Sequence, residues 1–322
     1  MQIVRTATLA LLSSASIFAA DSGLVNLVMP EARLVAGADL QRAKASSFGR
    51  YIMKQIEKQS AGDFENMVTA FGFDPRRDLH EVIFASVDPQ PGKSQNAVVG
   101  VRGAFDVQRI STFFKNMGKE DAITNYQGVD ILAPDSNGVA FLDSSVAVLG
   151  EPAAVKNAID RRRSGRKVTE TTAASIRDVS SRNDIWFVST TPFAEAGKPG
   201  AASAPPAAGP MAGMMNNDAF KAIDQVLGGI KLDAENITFS LEAVARSEKD
   251  ASAMADVVRL IAGMIQMSRD RPETAAAAAM ADALQLKTDG PRFRLSITMP
   301  QAEIEKLLDS QQKTPAPRAA LR

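Results

Sequence analysis

The chain has 322 residues, 45% of them hydrophobic, with 37 basic against 37 acidic side chains and no cysteine. This length and apolar content are enough to bury an ordinary core, as one large domain or two smaller ones. The missing thiols exclude a disulfide-stapled scaffold and a lipid-modified N-terminal cysteine, and the even charge balance argues against nucleic acid as a partner, because phosphate binding normally leaves a basic excess.

Arg5 precedes a fourteen-residue apolar stretch from Ala7 to Ala20 that ends in small residues before Asp21. A cationic start, a short apolar middle and a small-residue end are the order of a secretory signal peptide. The stretch is too short and too rich in Ser and Ala to span a bilayer, which takes roughly twenty apolar residues. The expected chain is therefore exported to the periplasm or beyond the cell, cleaved near Ala19 or Ala20, and keeps no membrane span.

From Arg33 to Leu40 the pattern reads as a strand. A long helix follows over about Ala43 to Gln59, with Phe48, Tyr51, Ile52 and Ile56 on one face, and then a short helix started by Asp63 and stopped by Gly72. Strands at Val82–Val87 and Ala97–Arg102 flank a Pro and Gly loop. Asp106 suits the N-cap of a helix whose Val107, Ile110, Phe113, Phe114 and Met117 form a stripe ended by Gly118. Strands at Val129–Leu132, Val139–Asp143 and Val146–Leu149 lead to a helix from Pro152 to about Arg163.

The second half repeats this order with drift. Asp184–Thr190 is a strand, and Asn217 or Asp218 caps a helix that turns Phe220, Ile223, Val226 and Leu227 inward. Ile237–Val244 is a strand, and Asp250 starts a buried helix carrying Met254, Val257, Val258, Ile261, Met264 and Ile265 at helical spacing. Another helix runs from Pro272 through the alanines to Leu286, and a strand over Phe293–Met299 enters a last helix at Gln301. Residues 146–160 and 295–309 align without gaps, Val148 facing Ile297, Val155 facing Ile304 and Asp160 facing Asp309, each a strand, a proline and a helix.

The expected fold is α+β: two related β/α units, 21–166 and 167–312, mainly antiparallel sheet with helices packed on one face. The Ala, Gly and Pro segment 196–213 is expected to be a flexible loop inside the second unit, and 313–322 a disordered tail.

Met29, Pro30 and Glu31 lead into one strand, and the run Gly72, Phe73, Asp74, Pro75, Arg76, Arg77, Asp78 leads into another. With these motifs the chain resembles a loose family of exported bacterial proteins of unknown function. The resemblance implies export and a duplicated α+β fold; it brings no catalytic residues with it.

Recognised chemistry is sparse. His80 is the single histidine, and the run from His80 to Phe84 lacks the second histidine of a zinc helix. Pro91, Gly92, Lys93 and Ser94 imitate the end of a phosphate-binding loop, but Val87 stands where its first glycine belongs. Serine hydrolysis on the usual plan would have to use His80, and no nucleophile elbow is present. Met211, Met214 and Met215 offer thioethers without a supporting histidine. Arg76 and Arg77 could hold an anion, and Arg161, Arg162, Arg163, Arg166 and Lys167 form one basic run that could meet an anionic lipid or polymer. No metal or cofactor is expected. The function read from these features is an exported, non-enzymatic binding or structural protein of the cell envelope, its partner an unidentified envelope protein or polymer. The alternative is a carboxylate-type envelope hydrolase whose acids need no local motif.

Overall fold

The structure, a computed structural model, describes residues 20–88, 96–116, 120–190, 222–268 and 275–313. The stretch before Ala20 read as a signal, Pro91–Ser94, the segment 196–213 expected to be a loop, Met211, Met214 and Met215, the expected helix cap at Asn217 or Asp218 and residues 314–322 lie outside the described residues.

Twelve strands among the described residues form one antiparallel sheet: β1 (Leu34–Asp39), β2 (Leu79–Ser86), β3 (Ala97–Gly103), β4 (Ile123–Tyr126), β5 (Val129–Leu132), β6 (Gly138–Phe141), β7 (Val146–Gly150), β8 (Ile185–Ser189), β9 (Ile223–Leu232), β10 (Asn236–Ala245), β11 (Leu284–Asp289) and β12 (Arg292–Pro300). Their spatial order is β11-β12-β10-β9-β8-β1-β2-β3-β7-β6-β5-β4. The first seven strands fill one half and the last five the other, joined where β1 pairs with β8. Each half begins with a three-strand meander followed by a helix, and its last strand returns to pair with the third: β7 with β3, and β12 with β10. The chain is α+β with a mainly antiparallel sheet, as the patterning leads one to expect.

Directly opposed residues of antiparallel strands share a face, so register shows what each face carries. One row runs from Val98 through Ala85, Val35, Val188, Leu227, Glu242 and Arg294 to Lys287. It starts apolar and ends charged. Over its apolar part lie α1 (Ser22–Val25), α6 (Pro152–Ser164) and α7 (Glu170–Arg182), which bring Leu24, Val155, Ile159, Ile176 and Val179 onto Val35, Ile83, Val148 and Trp186 to make the largest core. In the second half the opposite face is apolar: Leu241, Ala243, Phe293 and Leu295 meet Met254 and Ala255 of α8 (Glu248–Met267). α1, α6 and α7 thus pack on one face of the sheet and α8 on the other.

Several elements differ from the sequence reading. Residues 40–45 form a separate short helix, α2 (Leu40–Ala45), before α3 (Ser47–Phe71), which kinks at Ser60, where the reading placed a break, and stops at left-handed Gly72. The short α4 (Pro75–Asp78) leads into β2, and α5 (Val107–Asn116) begins as expected, with Asp106 accepting from the Arg109 amide. Ile223–Leu232 is a strand, not a helix, although Ile223, Val226 and Leu227 have helical spacing. A Cβ at Gly228 would come 2.7 Å from the Phe187 ring, and one at Gly229 2.6 Å from Asn183. The glycine pair fits close sheet packing and costs a helix about 1 kcal/mol each.

Ser247, not Asp250, caps α8, its hydroxyl accepting from the Asp250 amide. The helix is not buried throughout, since Leu260 is 56% and Met267 80% exposed. The alanine helix α9 (Ala275–Asp282) stops before Leu286 because Leu284–Asp289 alternates and pairs as β11. The reading missed β4, which turns into β5 through Gln127 and Gly128, both at positive φ, a tight hairpin without the usual Asn-Gly pair. The last helix, α10 (Gln301–Lys313), starts at Gln301 as expected and runs to the first residue of the expected tail.

Candidate functional site

In the second half the charged end of the row lies open beside the C-terminal end of α7. Thr238, Ser240 and Glu242 of β10 share this face with Arg292, Arg294, Ser296 and Thr298 of β12 and Gln285 and Lys287 of β11. A cavity of about 230 Å³ is bounded by Val179, Arg182 and Asn183 on one side and Ser240, Glu242, Gln285, Lys287, Arg294 and Ser296 on the other.

Glu242 is 5% exposed at its floor. One of its oxygens accepts from Arg292, the other from Arg294 Nε at 2.8 Å, with Arg182 3.9 Å away. Burial works to raise the Glu242 carboxyl, but the hydrogen bonds from Arg294 and Arg292 outweigh it and hold the group below the usual range. Arg182 also pairs with Asp178. Four cations, Arg182, Lys287, Arg292 and Arg294, therefore face Glu242 and Asp178, with Asp289 acting on Arg294 from the rim. Ser240, Ser296, Asn183 and Gln285 add neutral hydrogen-bonding groups. The sequence carried this site only as alternation in Thr238–Glu242 and Arg292–Thr298, which also describes a plain solvated sheet face.

The residues singled out from sequence do not gather here. Arg76 is bidentate on Asp74, with both bonds 2.8 Å, and Arg77 on Asp78 at 2.7 and 2.9 Å. Both guanidinium forks are filled by neighbours in their own turn. The basic run is divided among different partners. Arg161 is buried and donates twice to the Leu27 carbonyl, Arg162 pairs with Asp143, and Arg163 binds Gln127. Arg166 lines a second cavity of about 430 Å³ with Glu31, Asp160 and Arg161, and Lys167 is exposed. His80 lies half-buried at the bulge where the β2–β3 register shifts.

A second polar cluster lies under α1. Asp39, Glu81 and Arg102 are cross-strand neighbours on the face of the main core. Asp21 sits over them, its carboxylate capping α1 through the Gly23 and Leu24 amides and pairing with Arg102 at 2.5 Å. The Asp21 amide donates to Glu81 Oε1 at 3.1 Å. Burial pushes the Glu81 carboxyl up to about 7, with the charges of Asp21 and Asp39 acting the same way and the Asp21 amide and Arg102 opposing. Among the described residues no three acidic or histidine groups gather to hold a metal ion, and no helix is long and apolar enough to cross a membrane.

No protein-family model and no curated protein matches the chain. Among solved structures it is similar to TP0453 in crystal forms I, III and IV. The first two are 8% identical, the third 9%, all with a TM-score of 0.48; they cover 90, 89 and 88% of this chain and 98, 97 and 95% of theirs. Nothing about this chain's chemistry follows from a likeness at that level.

Proposed function

We propose that the protein is an exported, non-catalytic binding module of the cell envelope, and that its ligand is a carboxylate- or phosphate-bearing stretch of an envelope polymer held in the cleft between α7 and β10–β12. One observation carries this reading. Arg182, Lys287, Arg292 and Arg294 converge on an open sheet face where the one carboxylate on the floor is already neutralised by two of them. A carboxylate held ionised between two arginines is suited to placing those arginines and poorly suited to moving protons.

The hydrolase alternative draws on Glu81, whose carboxyl is raised to about 7 beside Asp39, a pattern suited to a general acid. That carboxylate is capped by the Asp21 amide and lies under α1, where a substrate would have to displace the core segment holding Leu24.

Titrating the isotope-labelled mature chain with uronic-acid oligosaccharides and with glycerol-phosphate oligomers tests the binding reading. Backbone shifts should cluster at Gly228, Ser240, Gln285 and Ser296, weaken with salt, and vanish in Lys287→Glu. Shifts elsewhere, or none with either series, would refute it.

A further inference from the structure

The residues that follow the expected cleavage point belong to the core. Leu24 and Val28 are fully buried, Leu27 is 1% exposed, and all three pack on the face that carries Val35, Ile83 and Val148. The backbone just before them is anchored at two atoms. The Ala20 amide donates to Ser180 Oγ at 2.9 Å, and the Asp21 amide to Glu81 Oε1 at 3.1 Å. In an uncut chain Asp21 N is a peptide nitrogen that offers Glu81 one neutral hydrogen. After cleavage between Ala20 and Asp21 the same atom becomes an ammonium with three donors and a unit charge.

We propose that Glu81 is the receptor for the α-ammonium of the mature chain, so that removal of the leader completes a partly buried ion pair which the uncut chain lacks. The proposal rests on the reading of residues 1–20 as a cleaved signal, and it assigns the cut to the Ala20–Asp21 bond. Local charge supports it. The groups facing Glu81 are Asp21 from the α1 segment, Asp39 from β1 and Arg102 from β3; Asp39 leans on Arg42, which also reaches Asp184, itself bonded to Lys231. Ionised, this set holds four carboxylates and three cations, and the new ammonium balances it.

The pH behaviour follows from the same geometry. In the uncut chain burial raises the Glu81 carboxyl from its ordinary 4.5 to about 7. The folded state then holds its proton more tightly than the unfolded state, so the associated stability is full below about 4.5 and is lost as pH rises toward 7. An adjacent ammonium keeps Glu81 ionised and removes that loss.

The test compares the chain beginning at Asp21 with the same chain Nα-acetylated, and each with its Glu81→Gln variant, by urea unfolding at pH 5 and pH 7.5. Acetylation should lower the folding equilibrium constant roughly tenfold or more at pH 7.5, the scale of a charge-assisted hydrogen bond. It should change nothing in the Glu81→Gln background. Equal stability of the free and acetylated chains overturns the proposal. In case Glu81→Gln does not fold, NMR titration of the Asp21 amino group gives an independent reading: a pKa raised above the free-amine range of about 7.7–8.0 supports the pair, and an unshifted one overturns it. Mass spectrometry of the exported protein separates the two premises. An intact Met1 overturns the export reading, whereas a cleaved chain starting anywhere but Asp21 leaves export standing and overturns the Glu81 assignment.

Discussion

Gly37→Ala should loosen the seam between the two halves of the sheet. Gly37 of β1 is directly opposed to Trp186 of β8, which is opposed in turn to Gly229 of β9. The indole closely approaches Gly37: an added Cβ would come 2.4 Å from Cζ2, 2.6 Å from Cε2 and 3.0 Å from Nε1. Ordinary carbon–carbon contact is about 3.5–4.0 Å, so the ring must move by about 1 Å. It is 2% exposed and packed within the core formed with Val35 and Val188. Overpacking of this kind costs about 1–3 kcal/mol, against a gain of about 0.5–1 kcal/mol for removing a glycine from a strand. The expected net loss is about 1–2 kcal/mol, or a few degrees in melting temperature for a chain of this size. Trp186 is the only tryptophan, so its emission during urea unfolding reports both the midpoint and the ring's surroundings. Trp186→Phe, which removes the indole, should reduce the penalty when combined with Gly37→Ala, the midpoints of these tryptophan-free chains being read by circular dichroism. A Gly37→Ala chain with wild-type midpoint and unchanged emission would refute the close-approach argument.

Arg161→Met should cost about 1–3 kcal/mol by removing both hydrogen bonds to the buried Leu27 carbonyl, whereas Arg163→Ala, on the exposed side of the same helix, should stay within about 0.5 kcal/mol; thermal melts of the pair decide it. Asp143 should contribute to acid stability: burial works to raise it, but Arg162 and the hydroxyl and amide of Ser145 together bring it down to about 2. A group depressed in the folded state gives stability that is present above its unfolded value near 3.8 and is lost as pH falls through about 2. Asp143→Asn should flatten that limb of a stability profile measured from pH 5 to pH 2.

The boundaries that sequence reading placed well are those fixed by local chemistry. Asp106 as a cap, Gly72 as a helix stop, Pro152 at a helix start and the strand running from Phe293 into Gln301 depend on neighbours in the chain, and the structure keeps each of them. The errors fall where distant residues decide. Ile223–Leu227 has the spacing of a helix, and only the fit of Gly228 and Gly229 against Phe187 and Asn183 makes it a strand. The basic residues from Arg161 to Lys167 are close in sequence, but on α6 successive residues point about 100° apart, so Arg161 enters the core while Arg162 and Arg163 reach different loops. The charged cleft was invisible for the complementary reason. Lys287 and Arg294 face each other across the β11–β12 hairpin, but Glu242 lies on the far side of α8 and α9 in the chain, and only the β10–β12 register brings it to them.

The two units 21–166 and 167–312 are proposed to be copies of one ancestral motif, and the strand order around β8 and β1 bears on how such copies would fold. The gapless pairing of residues 146–160 with 295–309 matches Val148 to Ile297, but register puts Val148 on the face with Val35 and Ile297 on the opposite face with Phe239. α6 accordingly packs with Val148, and α10 brings Ile304 to Phe239 and Ile237. The copies would thus share an order of elements while sending their final helices to opposite faces. The largest core nevertheless belongs to both: Leu24, Val35 and Val155 from the first unit are packed with Ile176, Val179, Trp186, Val188 and Leu227 from the second. A chain ending at Arg166 would leave Val35 and Ile83 without their α7 and β8 neighbours and open β1 as an unpaired edge. Expressed alone, residues 21–166 should bind a hydrophobic dye and unfold without a cooperative transition, and mixing with residues 167–313 should restore one. A soluble first unit that melts cooperatively by itself would show that each copy folds alone and that the shared core forms afterwards by docking.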